Sequence, residues 1–514
     1  MKSVGWVLLG MALAVSVLAA ESPYWKDSPV AEHGEIDRLL RAGWAQQRLA
    51  VPREASDAVF VRRACLDLLG RLPTMAEAKE YVQATGGEKR AALIDRLLND
   101  DGFPLYWTQH WCDLLRIKSE FPINLWPNAV YGYQRRIHDF LRRNEPYDDF
   151  VRALLTSSGS NFRVPEVNFY RAMANRTAAG IAGAVALSFM GLRYDAMSET
   201  DRLALADFFA GVRYKSTKEW KEEIVYVQRL PEVLPRRRLD GRLVEVAPGE
   251  DARAVFCDDL LATGNPYFSR ALVNRVWHWF FGHGLIEPAD DLAGGEVINQ
   301  PLLDHLANDF ARSGYDIRRL CRQVALSSAY CAASCQAGVV SQAEKHFASY
   351  PVRRLGAEVL DDAIGDLTGV RSSYSSVIPE PFTYIPARNR TVSLADGSIS
   401  SSFLILFGRP ARDSGELGER NNAISAKQRL FLFNSGELYR KLQNIGRREE
   451  MKSLDSEARV DGLYWLFLSR SPTAEEKKTI HTFYQRLPSG KARWRFQQDL
   501  CWVLVNSAEF LHQH

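Results

Sequence analysis

The chain has 514 residues, of which 46% are hydrophobic, and 65 basic residues against 62 acidic ones give a formal net charge of +3. At about 100–200 residues per domain, this length predicts two to four domains, and the hydrophobic share excludes a disordered chain. The near balance of charges argues against a nucleic-acid partner, which would select a one-sided basic excess.

The N-terminus has the pattern of a secretory signal peptide. Lys2 supplies a positive start, residues 4–18 are mostly apolar, and small residues lead to Ala20. This run is shorter than the roughly 20 apolar residues that span a bilayer. We therefore predict a signal peptide at residues 1–20 and export to the periplasm or the extracellular space, with no transmembrane span after cleavage. An uncleaved membrane anchor is the alternative.

Helical periodicity dominates the chain. Helices are predicted in the N-terminal part at 56–69, 88–99, 128–143, 146–157, 174–192 and 198–210. The helical pattern is interrupted by two short runs of β-favouring residues at 223–227 (EIVYV) and 242–246 (RLVEV), which predict a small hairpin or two edge strands. Further helices are predicted at 250–263, 266–281, 301–313, 316–329 and 351–368, and then at 424–443, 455–469, 473–486 and 491–511.

These elements predict a mainly α protein made of two helical domains with a small β hairpin or edge strands between them. The N-terminal domain is predicted at residues 21–215, a linker with short strands at 216–250, and the C-terminal domain at 251–514.

Residues 265–291, NPYFSRALVNRVWHWFFGHGLIEPADD, concentrate polar side chains on an aromatic helix and in the loop after it. The candidate ligand-binding residues here are Arg270, Asn274, Arg275, His278, Glu287, Asp290 and Asp291. One interpretation is a polar network that fixes the helix to its loop, and the other is a ligand site. The spacing of His278 and His283 does not match the four-residue zincin pattern.

A second candidate lies in FGRPARD at 407–413, which places Arg409 and Arg412 in a predicted turn. Arginine binds carboxylate, sulfate and phosphate groups bidentately, so this turn is a candidate for an anionic ligand. His110 and Asp113 share a helical face and are interpreted as a core histidine with an acidic neighbour. The run RR at 353–354 is predicted to pair along a helix with Glu358, Asp361 and Asp362.

Seven cysteines stand at 65, 112, 257, 321, 331, 335 and 501. Because disulfides persist in exported proteins, Cys331 and Cys335 are predicted as a possible local bridge. No CxxC pair occurs, so a four-cysteine zinc site is not expected, and we predict no bound metal or cofactor.

Several long segments resemble a known pair of exported domains. Segments resembling the first domain are FVRRACLDLLGRLPTMAEAKEYV (60–82), LYWTQHWCDLLRI (105–117) and EPYDDFVRALLTSSGSNF (145–162). Segments resembling the second include residues 265–292, SGYDIRRLCRQVALSSAY (313–330), RRLGAEVLDDAI (353–364), FGRPARD and LFNSGELYRKL (432–442). The pair is the planctomycete-type set of DUF1549 followed by DUF1553, called "planctomycete cytochrome-associated".

The resemblance implies an exported protein without an established reaction. It also implies that relatives often carry a CxxCH-type motif after the equivalent of FMGLRYD (189–195) and a Cys-x-Cys element after FGRPARD. This chain lacks both, continuing with AMSETDRLALADFFAGV and with SGELGER. Our hypothesis is that the two elements form one metal, haem or disulfide site in relatives, which this chain has lost.

Three functions are compatible with these observations. The first is an exported binding or assembly module that recognises an anionic or carbohydrate ligand, or a partner protein, in a cleft between the halves. The alternative is a hydrolase of extracellular polysaccharide that uses Asp290 and Asp291 with His278. The second alternative is a degenerate member of a haem- or metal-associated electron-transfer system.

Overall fold

The structure is a computed structural model that describes residues 22–229, 232–334, 341–386, 388–448, 451, 456–488 and 491–514. The predicted signal peptide and Cys335 lie outside these residues. Signal cleavage and the bridge between Cys331 and Cys335 therefore stay predictions.

The described chain is mainly α-helical, as predicted. Its first helices are α1 (Gly34–Gln46), α2 (Asp57–Leu69), α3 (Met75–Gln83), α4 (Lys89–Leu98), α5 (Gly102–Leu114), α6 (Pro127–Arg143), α7 (Tyr147–Thr156), α8 (Ala178–Val185) and α9 (Glu199–Asp207). The later ones are α10 (Ala252–Leu260), α11 (Phe268–Phe281), α12 (Gln300–Arg312), α13 (Ile317–Leu326), α14 (Ser328–Cys331), α15 (Ser341–Lys345), α16 (Ala357–Thr368), α17 (Ser402–Leu406), α18 (Ala426–Asn434), α19 (Gly436–Leu442), α20 (Ser456–Leu468), α21 (Ala474–Gln485), α22 (Lys491–Val505) and α23 (Ala508–Leu511).

The strands form small antiparallel sheets. They are β1 (Trp25–Pro29), β2 (Arg53–Ala55), β3 (Gly159–Ser160), β4 (Val212–Ser216), β5 (Glu223–Val227), β6 (Leu234–Arg237), β7 (Leu243–Val246), β8 (Ile286–Glu287), β9 (Glu296–Val297), β10 (Arg353–Arg354) and β11 (His512–Gln513). The two predicted strands are β5 and β7, but they do not pair with each other. Instead, β5 lies between β3 and β4, and β7 forms a hairpin with β6.

Local sequence explains where several helices begin and end. The Ser56 hydroxyl accepts a hydrogen bond from the Val59 amide and caps α2. Thr74 and Glu77 form a reciprocal capping box at the start of α3. Gly70 ends α2 with a φ of 58°, a left-handed conformation in which a side chain at this position would collide with the Tyr106 ring.

Several predicted helices were wrong in part. The helix predicted at 174–192 begins only at Ala178 and continues as a π-helical turn at Ala186–Met190. The helices predicted at 316–329, 424–443 and 491–511 are each divided into two. The helix predicted at 351–368 begins only at Ala357, because Arg353 and Arg354 form β10 and pair with β11 near the C-terminus. The predicted helical charge pairs of these two arginines are therefore absent.

The buried apolar side chains form two clusters. The larger packs α2, α5, α6 and α11 together; its members lie between Val30 and Tyr350, with two later ones at Ala395 and Trp465. The smaller joins α16 to the C-terminal helices and also includes Leu66 of α2. Because Leu66 and the neighbouring Asp67 lie where the clusters meet, one face of α2 borders both. None of the described helices has the length and apolarity needed to cross a bilayer.

Candidate functional site

Asn274 fixes the loop after α11 to the helix. Its side chain is fully buried, and its Oδ1 accepts hydrogen bonds from the amides of Leu285 at 2.7 Å and Ile286 at 3.0 Å. Its Nδ2 donates to the Ile286 carbonyl at 2.8 Å. A buried amide that uses both its donor and its acceptor in this way holds backbone groups that would otherwise be unsatisfied.

Arg275 and Asp290 form a buried ion pair beside this loop. The Arg275 side chain is 1% exposed, and its Nη2 lies 2.9 Å from Asp290 Oδ1. Arg275 Nη1 also donates to the Ser188 carbonyl at 2.8 Å, which ties α11 to the π-helical turn. The second oxygen of Asp290 accepts the Leu417 amide at 2.7 Å. Both carboxylate oxygens of Asp290 are thus engaged.

The remaining candidates of this segment are closer to solvent. Arg270 pairs at the surface with Asp304 at 2.7 Å. Asp291 accepts the Gly294 amide at 2.9 Å. His278 Nδ1 lies 3.7 Å from Glu287 Oε2, and that oxygen accepts the Gly284 amide at 2.7 Å. Burial opposes ionisation of Glu287, but the contact with His278 outweighs it and keeps the pKa of this carboxyl below its ordinary value.

Arg409 and Arg412 are buried rather than presented in an open turn. The Arg409 guanidinium pairs with Glu358 at 3.3 Å, and burial lowers its pKa to about 10. Arg412 is fully buried, and its Nε donates to Asp113 Oδ1 at 2.7 Å while its Nη1 donates to the Ala395 carbonyl at 2.6 Å. An anionic ligand therefore has no direct access to the guanidinium of Arg412.

An open cleft of about 410 Å³ lies between α2 and α5 on one side and α11, α16 and the 410–422 segment on the other. Of the residues that the sequence singled out as ligand-binding candidates, His278, Glu287 and Asp290 line it. The other candidates do not line the cleft; they are Arg270, Asn274, Arg275, Asp291, Arg409 and Arg412. The charged and aromatic groups of the lining include Asp67, Tyr106, His110, Asp113, Arg193, Trp279, Arg353, Glu358, Glu416 and Arg420.

Arg420 is the centre of one cleft wall. Its Nη2 donates to Asp113 Oδ2 at 2.6 Å, and its Nη1 donates to Glu358 Oε2 at 2.7 Å. One guanidinium thus bridges two carboxylates from α5 and α16. Burial alone would raise the pKa values of Asp113 and Glu358, but Arg420 outweighs it at both and keeps the two pKa values below ordinary. We call Asp113, Glu358 and Arg420 the arginine bridge.

A second wall is built around Asp67. Its Oδ2 accepts the Tyr330 hydroxyl at 2.8 Å, and its other oxygen accepts a hydrogen bond from Arg353. Arg353 also donates to the Trp279 carbonyl at 2.9 Å and so holds the end of α11. This arrangement explains why Arg353 lies in a short strand: the strand carries its guanidinium to a buried acid on α2.

His110 lies between the two walls. Its imidazole stacks on the Trp279 ring with centroids 4.8 Å apart and an interplanar angle of 17°. Burial lowers the pKa of His110 to about 3, and the nearby Arg420 adds to this shift. The ring is consequently neutral near pH 7, and it contributes a flat aromatic surface and a neutral polar edge to the cleft.

The sequence patterns missed most of these cleft residues because their partners are far away along the chain. Asp113 and Arg420 are 307 positions apart. One available signal was burial: a carboxylate on an apolar helical face, such as Asp67, Asp113 or Glu358, must find a partner because an unpaired buried charge is strongly unfavourable. That signal identifies the acids but not the arginines that meet them.

The charges of the cleft balance. The carboxylates of the lining and of its ion-pair partners are Asp67, Asp113, Glu287, Asp290, Asp291, Glu358 and Glu416. They are matched in number by Arg193, Arg275, Arg353, Arg354, Arg409, Arg412 and Arg420. Within the described residues, no group of His, Cys, Asp and Glu side chains has the arrangement of a metal site.

Two family models match the chain. The model described as a protein of unknown function (DUF1549), PSCyt2, matches residues 35–213. The model described as a protein of unknown function (DUF1553), PSD1, matches residues 252–484. Neither the curated proteins nor the solved structures contain a match.

The cleft draws its residues from both matched regions. Asp67, His110 and Asp113 come from the first, and His278, Glu358 and Arg420 come from the second. Of the two segments at which the resemblance implies sulfur-bearing elements in relatives, SGELGER reaches this cleft at residues 415–418, and the other begins three residues after Arg193, which also lines it. The chain belongs to the planctomycete-type two-domain family in which DUF1549 is followed by DUF1553.

Proposed function

We propose that the chain is a binding module whose cleft recognises a neutral, polyhydroxylated ligand, such as a segment of an extracellular carbohydrate chain. The observation that carries this proposal is the arginine bridge, in which ion-paired acids and a guanidinium face about 410 Å³ of open space. This volume lies within the roughly 300–1,000 Å³ typical of small-ligand sites.

The balance of charges favours a neutral ligand over an anionic one. A carboxylate or phosphate ligand would need an arginine with free N–H donors, whereas Arg420 already bridges two acids and Arg353 already binds Asp67. Arg354 has no carboxylate partner, but its guanidinium donates to four backbone carbonyls. Hydroxyl groups both donate and accept hydrogen bonds, so they suit a wall of fixed carboxylates and guanidinium groups. Because these side chains are held by one another, little ordering accompanies binding.

The same contacts favour binding over hydrolysis. A glycosidase needs two carboxyl groups that are free to transfer a proton or to attack the sugar. Asp290 engages both of its oxygens with Arg275 and with the Leu417 amide, and Asp291 is tied to the Gly294 amide. Neither acid is arranged for that chemistry.

The test is a glycan array followed by titration calorimetry on the best neutral oligosaccharide. Asp113→Asn keeps the shape of the side chain but weakens its bonds to Arg420, and Glu287→Gln changes a partly exposed group of the cleft. We expect each variant to weaken binding about tenfold. Arg270→Gln, on the same helix as His278 but outside the cleft, is the control and should bind normally.

Two results would contradict the proposal. One is equal affinity for the wild type and both cleft variants, provided that thermal unfolding shows all proteins folded. The other is selective binding of sulfated or uronic-acid glycans with no binding of neutral ones, which would mean that the ligand is an anion.

We also propose that the protein is exported after removal of residues 1–20. The support is the charged start, the short apolar run and the small residues before Glu21. N-terminal sequencing of the protein recovered from the periplasm or the medium should begin at or near Glu21. Recovery of a chain that still begins at Met1 from the membrane fraction would favour the uncleaved anchor.

A further inference from the structure

A cluster of aromatic side chains, two of them exposed and one half-buried, lies outside the cleft. Trp126, Trp220 and Phe382 come from three distant parts of the chain, and none of them lines the cleft. The Trp126 ring centroid is 6.2 Å from that of Trp220 and 5.3 Å from that of Phe382. Trp220 is 68% exposed and Phe382 is 49% exposed. We call these three residues the aromatic cluster.

The backbone beneath the cluster adopts unfavourable conformations. Trp126 has a φ of 73° and a ψ of 146°, close to a region that is essentially restricted to glycine. Lys221, which lies against both indoles, and Asn124, its hydrogen-bond partner, have φ values of 61° and 59°. Asparagine adopts the left-handed conformation readily, so Trp126 and Lys221 are the unusual positions. Such conformations persist in these residue types only where the surroundings enforce them, and they concentrate at ligand sites. Two of them at one surface cluster point to a selected geometry.

Polar groups stand among the rings. The Lys221 ammonium lies 5.6 Å from the Trp126 ring centroid and 5.5 Å from that of Trp220, within cation–π range. It also donates to Asn124 Oδ1 at 3.4 Å. On the other side, the Tyr131 hydroxyl donates to the Tyr384 carbonyl at 3.2 Å and ties the Phe382 segment to α6. The cluster therefore alternates aromatic faces with hydrogen-bonding groups.

We propose that the aromatic cluster is a second binding site, which stacks on the sugar rings of a single glycan chain. A pyranose ring presents an apolar C–H face surrounded by hydroxyl groups, and the cluster offers aromatic faces surrounded by an ammonium and an amide. A dry protein interface or a bilayer would have to desolvate the Lys221 ammonium between the two indoles, which is unfavourable. The hydroxyl groups of a sugar would instead take the place of the water molecules that solvate this ammonium.

The ring angles restrict the ligand further. Trp126 is inclined at 82° to Trp220 and at 57° to Phe382, so the rings are far from coplanar. A flat surface, such as the face of a crystalline polysaccharide fibre, would contact one ring at a time. A single soluble chain that turns between sugar units contacts successive rings. The cluster is therefore a site for single chains rather than for fibre surfaces.

Acrylamide quenching of tryptophan fluorescence gives a direct test. Among the tryptophans whose side chains the structure describes, Trp220 alone is exposed, so its protection reports ligand at the cluster. Cellohexaose, xylohexaose, mannohexaose and chitohexaose are the probes. We expect at least one to reduce quenching, and Phe382→Ala, which leaves Trp220 in place as the reporter, to weaken its binding by about tenfold with unchanged thermal unfolding. Phe433→Ala, which removes another exposed ring that is 53% accessible, is the matched control.

The outcomes separate this proposal from that for the cleft. Asp113→Asn should leave the protection of Trp220 intact, and Phe382→Ala should leave cleft binding intact. If the cleft variants change nothing while Phe382→Ala abolishes the protection of Trp220, the cleft proposal fails and this one stands. Absence of protection by all four hexasaccharides would overturn it, as would equal losses in Phe382→Ala and Phe433→Ala. Binding to phosphatidylcholine vesicles or to a protein in place of any glycan would also overturn it.

Discussion

The loop after α11 and the arginine bridge use the same chemistry in different surroundings. Arg275 and Asp290 are 1% and 8% exposed at their side chains, and the guanidinium also binds a backbone carbonyl. Asp113 and Arg420 are each 19% exposed and border the cleft. The first pair joins backbone segments, whereas the second retains hydrogen-bonding groups that a ligand can reach. Solvent access, rather than residue type, separates a structural ion pair from a recognition surface.

Arg275→Ala is the strongest test of this comparison. It leaves Asp290 buried without its counter-charge and should lower the free energy of unfolding by about 3–5 kcal/mol. Urea denaturation followed by circular dichroism measures the change. A loss below about 1 kcal/mol would mean that Asp290 is not held by Arg275, and the interpretation of this pair as structural would be wrong.

Asn274→Ala should have the next largest effect. The variant leaves the amides of Leu285 and Ile286 without their buried acceptor, which costs about 2–3 kcal/mol in unfolding free energy. Because the same loop carries Glu287 and Asp290 to the cleft, binding of the neutral oligosaccharide should weaken as well. Normal stability with weakened binding would instead make Asn274 a direct ligand contact.

His110→Gln tests the cleft side of this comparison through the pH dependence of the unfolding free energy. The folded pKa of about 3 is below the ordinary value, so the unfolded chain takes up this proton first as the pH falls. The stability linked to His110 is thus complete above about pH 6.5 and declines as the pH falls toward the folded pKa.

Between about pH 6.5 and pH 4.5, the wild type should lose roughly 1–3 kcal/mol more unfolding free energy than His110→Gln. Denaturation midpoints at a series of pH values measure this difference. Parallel pH profiles for the two proteins would show that His110 titrates normally and is not desolvated by the cleft wall.

Arg270→Gln should have the smallest effect. The pair with Asp304 is at the surface, with Arg270 35% exposed at its side chain, so removing it should change the unfolding free energy by about 0–1 kcal/mol. The measurement is the same urea denaturation as for Arg275→Ala. If Arg270→Gln destabilised the protein as much as Arg275→Ala, solvent access would not be the property that distinguishes these arginines.

The sequence by itself determined the fold class, most helices and the family. Capping residues such as Ser56 and Thr74 act within one helical turn, and apolar periodicity reports which face of a helix is buried. It also indicated that the polar residues of 265–291 form a network with the following loop, since Asn274 and Leu285 lie close together in the chain.

Only the tertiary structure decided which charged side chains form ion pairs with one another. Arg353 lies in a strand because β10 pairs with β11, where its partner is Gln513, 160 positions later, and Arg420 reaches Asp113 across 307 positions. Arg409 and Arg412 were expected in an open turn, and the packing of the chain buries them against Glu358 and Asp113. The physical reason is that helical period and caps are local, whereas ion pairing depends on how separate helices pack.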